Sequence, residues 1–310
     1  MAGSSTKVIL AALAGNTAIA ITKFAAAVFT GSSAMLSEGI HSLVDTGNQG
    51  LLLYGMRRAK RPPDARFPFG HGKEIYFWSF VVAILIFAVG AGVSIYEGIH
   101  NMLDPRPITN PLVNYIVLGL SLVFEGGAWW FALREFGKTK GKMGYIEAVQ
   151  RGKDPSMFVV LFEDSAALLG LLVAMAGIAT AQFTGILWFD GLASVVIGLI
   201  LGATAIWLAI ETKGLLIGES ANREVVAGIR ELVSAEPAIE AIKELLTMHM
   251  GPDFVLVTMA ADFRDDLDAG TIEHTIARLD RAIKARWPEV KKVFIEAESL
   301  VPRVEHPAPA

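Results

Sequence analysis

The chain has 310 residues, of which 53% are hydrophobic and only 19% are charged, and its mean hydropathy is +0.48. This composition excludes an ordinary soluble protein and places most of the chain in a lipid bilayer. The net charge of −4 argues against nucleic acid as a partner, and the absence of cysteine excludes disulfides and thiolate metal sites, so metal ligands would have to be His, Asp or Glu.

Six segments are long and apolar enough to span a membrane as helices. They are predicted at 7–30, 33–55, 75–99, 112–133, 156–182 and 186–210. Basic residues gather in the connections between the second and third and between the fourth and fifth segments, whereas the three opposite connections contain only Arg106. Because positive charge stays on the cytoplasmic side, both termini are predicted in the cytoplasm, for an integral protein of a bacterial inner membrane.

The second segment carries a histidine and an aspartate one helical turn apart. His41 and Asp45 lie in the run SEGIHSLVDTGNQGLLLY, residues 37–54, and residues four apart point within roughly 40° of each other on a helix. Ionisable groups at bilayer depth are costly, so the pair predicts an ion or proton path. The alternative is a buried hydrogen bond between the two side chains that holds no ion.

The fifth segment carries two adjacent carboxylates, Glu163 and Asp164, inside the apolar run MFVVLFEDSAALLGLLVAM. Adjacent residues point about 100° apart on a regular helix, so only one of the two is expected to face a small site. The other is then expected to meet a neighbouring helix. The alternative is that both lie near the cytoplasmic interface and reach water.

Three further charged residues lie at membrane depth. Lys23 in the first segment and Glu38 in the second stand at a similar depth on the two sides of a tight turn, which predicts an ion pair that neutralises both. A structural role for this pair is favoured over a transport role. For Glu125 in the fourth segment, packing or hydrogen bonding and a role in proton access are both left open.

From residue 217 onward the pattern changes to that of a small, acidic α+β domain. The first 216 residues carry 16 Lys and Arg against 14 Asp and Glu, and the remainder carries 11 against 17. Helices are predicted at 222–235 and 270–287, and strands at 242–250, 254–263 and 291–297.

This αββαβ order predicts an antiparallel or mixed sheet with helices on one face. The chain is thus divided into a six-helix membrane domain (1–216), a cytoplasmic domain (217–300) and a disordered, proline-rich tail (301–310). Two helices cannot cover all strands of so small a domain, so the remaining apolar surface predicts a homodimer.

Three stretches, HSLVD, RPPDARFPFGHGKEIYFW and FDGLASVVIGLIL, together resemble motifs of the cation diffusion facilitator family of divalent-metal transporters. The resemblance covers nearly the whole chain, and the Glu-Asp pair resembles the branch related to the mitochondrial zinc transporters of animals. It implies a ferredoxin-like αββαβ tail and metal/proton antiport through a site with two ligands from each of the second and fifth spans. His41, Asp45 and Asp164 match three of those four ligands.

The fourth position departs from the family pattern, because Val160 stands where the family has a histidine. A valine cannot coordinate a metal, so water, Glu163 or Asn48 is expected to complete the site. Zn²⁺ remains the first expectation for the transported ion. The missing imidazole extends that expectation to Mn²⁺, Fe²⁺ and Co²⁺. No organic cofactor is expected.

Two accessory metal sites of the family are incomplete in this sequence. In the loop between the second and third spans, Asp64 and His71 match, but Phe67 takes the place of a second histidine, so this site is predicted to be weak or absent. The family's cytoplasmic site is rich in histidine, whereas the matching strands here offer Lys243, Thr258, Glu296 and Glu298. Tight metal binding by this domain is therefore not expected, and His249 and His274 are predicted to be surface residues.

Two functions of different classes follow from these residues. The first is a homodimeric secondary transporter in the lipid bilayer that exports divalent metal from the cytoplasm in exchange for protons by alternating access. Its ligands must lose protons to bind a cation, so metal and protons compete for the same groups. The second is a scaffold or partner subunit whose degenerate site no longer transports. An enzyme is not expected, because the sequence has no HExxH or equivalent catalytic pair.

Overall fold

The computed structural model describes residues 2–298 apart from 106, 109 and 141–143. The predicted tail at 301–310 and Arg106 lie outside the described residues. The chain forms two compact units, and each is described by itself. The first consists of the chain up to Pro63 together with Lys73–Leu216. The second consists of Asp64–Gly72 together with the chain from Ile217 onward.

The first unit is entirely helical where the structure describes it. Its elements are α1 (Ala2–Thr30), α2 (Ser33–Ala59), α3 (Glu74–Leu85), α4 (Gly92–Leu103), α5 (Pro111–Lys140), α6 (Tyr145–Arg151), α7 (Pro155–Thr184) and α8 (Trp188–Ile217). A π-helical segment, Ile86–Ala91, joins α3 to α4 without a break. Neither this segment nor the short helix α6 was predicted from the sequence.

Four described helical stretches are long and apolar enough to cross a membrane, namely Glu74–Leu103, Pro111–Arg134, Phe158–Thr184 and Trp188–Ile217. In α1 the described apolar stretch is Asn16–Thr30, which is shorter. Helix α2 is long enough, but Glu38, His41 and Asp45 lower its hydropathy. These four stretches identify an integral membrane protein.

The start of α2 is held by the turn before it and by α8. Gly31 has a φ of +74°, a left-handed conformation that favours glycine, and it ends α1. Ser32 then caps α2 by accepting a hydrogen bond from the Met35 N–H. On α8, Asp190 accepts hydrogen bonds from the Ser32 hydroxyl and the Ser33 backbone N–H, each 2.6 Å long. The helix that carries His41 and Asp45 is therefore anchored to α8.

Glycines allow α4 and α8 to approach at backbone distance. A Cβ atom at Gly98 would lie 2.7 Å from the Gly191 carbonyl oxygen, and one at Gly198 would lie 2.6 Å from the Ile95 side chain. Contacts this close leave no room for a larger residue. Small residues at such crossings are a common way for membrane helices to pack.

The second unit contains a three-stranded mixed sheet and two helices. Its elements are α9 (Arg223–Ser234), β1 (Ile239–Gly251), β2 (Phe254–Phe263), α10 (Ala269–Arg286) and β3 (Val290–Ala297). The strand order is β1-β2-β3, with β1 and β2 antiparallel and β2 and β3 parallel. A tight turn after Gly251 joins the first two strands.

One face of this sheet carries the core of the second unit. Ile229 of α9 and Ile283 of α10 are fully buried together with Val257 of β2. On the opposite face, Leu246 of β1 and Phe294 of β3 pair with the same β2 residue, Thr258. Their side chains are 54% and 53% exposed. The described part of the chain therefore leaves an apolar row uncovered on this face.

The loop segment Asp64–Gly72 packs with the second unit, although it lies within the membrane domain that is predicted from the sequence. A Cβ atom at Gly72 would collide with the Met250 carbonyl oxygen, and one at Gly251 would lie 3.0 Å from the Gly72 Cα. Two glycines thus let the loop and the β1 hairpin end touch through their backbones.

Candidate metal centre

Helix α2 places His41 and Asp45 on one face, as their spacing predicts. His41 is 1% exposed, and its Nδ1 lies 3.2 Å from Asp45 Oδ1. The Asp45 side chain is 16% exposed. The first unit therefore holds an imidazole and a carboxylate one helical turn apart, and both are groups that can bind a metal ion.

The polar atoms of this pair are buried without hydrogen-bond partners among the described residues. They are both ring nitrogens of His41 and the Oδ1 atom of Asp45. The His41–Asp45 distance is short, but the two groups do not have the geometry of a hydrogen bond. A buried polar group without a partner costs about 1 to 3 kcal/mol. This pair is therefore a candidate site for a ligand.

Helix α7 brings Glu163 against the same face of α2. Asn48 Nδ2 donates a hydrogen bond of 2.6 Å to Glu163 Oε1, and both residues are buried. The Glu163 carboxyl group also lies beside that of Asp45. Two carboxyl groups and the Asn48 amide thus meet where α2 packs against α7.

Asp164 and Val160 lie on α7 beside this contact. The Asp164 carboxylate is partly buried and close enough to repel that of Asp45, whereas Val160 packs against the apolar core. The structure thus brings Glu163, a less favoured ligand than Asp164 from the sequence, into direct contact with α2. Within the described residues, no three His, Asp or Glu side chains are placed to hold a metal ion together.

A second polar cluster surrounds Lys23. Its ammonium lies 3.1 Å from Glu38 Oε2 and 2.8 Å from both Ser42 Oγ and Glu125 Oε1. The predicted contact between Lys23 and Glu38 is present. Glu125, whose role the sequence leaves open, is a further partner. Ser42 was missed, because a serine in an apolar helix gives no signal of its own.

In the second unit, Asp64 and His71 contact each other directly. His71 Nε2 lies 3.0 Å from Asp64 Oδ2, and the Phe67 ring packs on the imidazole at 4.6 Å between ring centroids. Asp64 also accepts hydrogen bonds from the backbone N–H groups of Phe67 and Arg66. The bond to the Phe67 backbone, followed by that to His71, lowers the pKa of Asp64. Phe67 thus places an apolar ring, which cannot bind a metal, beside the Asp64–His71 pair.

The two histidines of the C-terminal strands and helices behave differently. His274 is exposed, as predicted. The same prediction is wrong for His249, which is 4% exposed. Its backbone N–H donates to the Glu219 carbonyl oxygen, and its ring lies 3.4 Å from the Gly251 carbonyl oxygen, so the end of the hairpin covers it.

Comparison with known proteins identifies the family to which this chain is similar. Residues 9–217 match the profile of the cation efflux transmembrane domain. Over 94% of its length the chain is 33% identical to the Xenopus laevis protein named proton-coupled zinc antiporter SLC30A9, mitochondrial, and 35% identical to the human protein of that name. It covers 59% and 58% of the lengths of these relatives. It is also 25% identical to the cation-efflux pump FieF of Cronobacter sakazakii, over 96% of this chain and 94% of that protein.

Proposed function

Because this chain belongs to the cation efflux family, which its motifs resemble, we propose that it is a secondary active transporter for divalent metal cations. It exports the metal from the cytoplasm in exchange for protons, with Zn²⁺ as the first candidate and Mn²⁺, Fe²⁺ and Co²⁺ as alternatives. One observation carries this proposal. The ring nitrogens of His41 and the Oδ1 atom of Asp45 are buried without hydrogen-bond partners among the described residues and face a carboxylate from α7.

The proposed metal ligands are His41, Asp45 and Asp164. Glu163 or Asn48 completes the shell in place of Val160. Since the described side chains do not converge on one point, metal binding requires α2 and α7 to adjust. Asp45 and Glu163 already lie close together, so the adjustment that brings in Asp164 is proposed to be a small rotation or shift of α7.

Proton exchange follows from the chemistry of these ligands. Imidazole and carboxylate bind a metal only in their deprotonated forms. Asp45 and Glu163 lie side by side, and a proton held between two such carboxyl groups is one that an arriving dication would displace. If the site opens to one side of the membrane at a time, release of metal and uptake of protons on the far side give antiport. The names of the SLC30A9 relatives, which contain the words proton-coupled zinc antiporter, support this proposal.

We further propose that α1 and α2 also cross the bilayer, which gives six spans with both termini in the cytoplasm of a bacterial cell. The basic connections after α2 and after α5 support this orientation. A helix such as α2 can cross the membrane when its polar groups face other helices. Glu38, His41 and Asn48 are buried accordingly.

A homodimer is the proposed assembly. The uncovered row on the sheet of the second unit, Leu246 and Phe294 on either side of Thr258, supports it. An exposed apolar strip of this kind is typical of an interface. A second copy of the same face would cover it with two-fold symmetry.

The experiment is metal flux into proteoliposomes that contain the full-length chain, with an imposed pH gradient. Asp45→Asn and Asp164→Asn are each expected to reduce Zn²⁺ flux at least tenfold, because an amide cannot replace a negative charge beside a dication in a low-dielectric site. Asp253→Asn, which changes an exposed carboxylate of the hairpin turn, serves as the control.

Two outcomes would contradict these proposals. Wild-type flux in both Asn variants would mean that the metal centre lies elsewhere. No flux of Zn²⁺, Mn²⁺, Fe²⁺ or Co²⁺ in the folded wild-type protein would favour the second candidate function, a scaffold with a degenerate site. The observation that favours this alternative is that Val160, which cannot bind a metal, stands in place of the fourth ligand.

A further inference from the structure

The cluster around Lys23 is a closed polar site formed by three helices. Lys23 of α1 and Glu38 of α2 are both 0% exposed, and the Glu125 side chain of α5 is 16% exposed. The Lys23 ammonium contacts one oxygen of each carboxylate and the hydroxyl of Ser42. The metal centre described above uses none of these groups.

The charges of this cluster do not balance. One ammonium faces two carboxylates, which leaves one negative charge in excess if all three groups are ionised. The second oxygens of the two carboxylates, Glu38 Oε1 and Glu125 Oε2, are buried without hydrogen-bond partners among the described residues. An uncompensated charge in such a place is costly. A proton on one of these two oxygens would remove the excess charge.

The cluster is electrically connected to the metal centre. Glu125 lies close enough to Asp45 of α2 and Asp164 of α7 to repel both carboxylates. Glu38 reaches α7 as well, because its Oε1 atom occupies the space that a Cβ atom at Gly170 would fill. The titratable groups that face the cluster from the neighbouring helices are thus His41 and Asp45 of α2 and Asp164 of α7.

We propose that Lys23, Glu38 and Glu125 form a proton-binding site, separate from the metal centre, that supplies one of the exchanged protons. This inference rests on the proposed transport function. A dication that enters the metal centre makes the potential at Glu125 more positive, which favours the ionised carboxylate. The O–H bond of the carboxyl group then breaks, and its proton passes to water. When the metal leaves, the excess negative charge draws a proton back from water.

The test compares the number of protons moved per zinc ion in proteoliposomes that contain the full-length chain. Radioactive zinc reports Zn²⁺ uptake, and a pH-sensitive dye in the lumen reports protons. In Glu125→Gln one ammonium faces one carboxylate, so no proton is needed, and we expect one proton fewer per zinc than in the wild type. Zinc-for-zinc exchange, which needs no net proton movement, is expected to continue. Glu147→Gln, which changes an exposed carboxylate of α6, is the control.

Glu38→Gln is the second variant, because it leaves the same balance of one ammonium and one carboxylate and covers the case in which Glu125→Gln does not fold. A purely structural cluster would lower the melting temperature and slow zinc and proton fluxes in proportion, with an unchanged ratio. That result in a folded variant would overturn the inference while the transport function stands. Absence of zinc flux in the wild type would instead count against the transport function itself.

Discussion

Val160 stands one helical turn before Asp164 and on the same side of α7 as Glu163, at the position where a second imidazole would complete the proposed metal centre. Its side chain packs with apolar neighbours instead. With one imidazole and otherwise oxygen ligands, the proposed centre suits ions that accept oxygen-rich shells, such as Mn²⁺, besides Zn²⁺.

Val160→His is therefore expected to raise the preference for Zn²⁺ over Mn²⁺ by about tenfold, equivalent to about 1.4 kcal/mol. Competitive flux of the two ions under one pH gradient measures this ratio, and Val160→Leu is the apolar control. If the ratio in a folded Val160→His protein equals that of the wild type, the last ligand comes from another residue, and Glu163 is the next to replace.

For single residues, the sequence predicts which side chains could bind a metal better than it predicts which side chains touch each other. His41 and Asp45 could be paired from their spacing alone, because i and i+4 always share a helix face. The meeting of Glu163 with Asn48 could not be predicted, because it depends on how α7 is rotated against α2. Adjacent carboxylates give two equally acceptable rotations.

Among the elements, α2 depends on a group from outside its own segment. Asp190 of α8 accepts the hydroxyl hydrogen of Ser32 and the backbone N–H of Ser33, and it is 1% exposed. Because these donors are buried, they cannot turn to water if Asp190 is removed.

Asp190→Ala is expected to destabilise the protein by about 1 to 3 kcal/mol, the cost of leaving buried donors without an acceptor. A lower melting temperature of the purified full-length protein, followed by tryptophan fluorescence, would show this. Asp104→Ala, at an exposed carboxylate that follows α4, is the matched control. Equal melting temperatures for the two variants would contradict a clamping role for Asp190.

The helices and strands could be placed from the sequence, because apolar runs of spanning length and alternating strand patterns are strong signals. Each predicted apolar segment corresponds to an observed helix, and the three strands lie where predicted. The π-helical segment could not be predicted, because its six residues are as apolar as those around them. The parallel pairing of β2 and β3 could not be predicted either, because the order of the elements allows both an antiparallel and a mixed sheet.

For the whole molecule, the exposed apolar row on the sheet predicts how two copies meet. Phe294→Glu places a charge at one end of this row, on β3, and is expected to convert the proposed dimer of the purified protein to a monomer. Mass measurement in mild detergent gives the oligomeric state. Glu273→Lys, at an exposed position of α10, changes charge elsewhere in the second unit as a control. A dimer that persists in Phe294→Glu would place the interface on another surface.

The division into an apolar and an acidic part is visible in the sequence, since hydropathy and charge both change near residue 217. The inclusion of Asp64–Gly72 in the second unit is not visible. That contact is made by the backbones at Gly72 and Gly251, and a backbone contact leaves no pattern of side chains to read.

The π-helical segment Ile86–Ala91 changes the direction in which the side chains after it point around the helix axis. Its wider turns hold more residues, as in the bond from the Gly92 N–H to the Phe87 carbonyl oxygen, and each added residue turns the following side chains by about 100°. Before the segment Trp78 packs against α2 at Gly55, and after it Gly98 meets α8. An unbroken α-helix in phase with Trp78 would aim Gly98 away from α8. The parts of this span before and after the π-helical segment therefore direct their side chains towards different neighbours, α2 and α8, which one regular α-helix would not do.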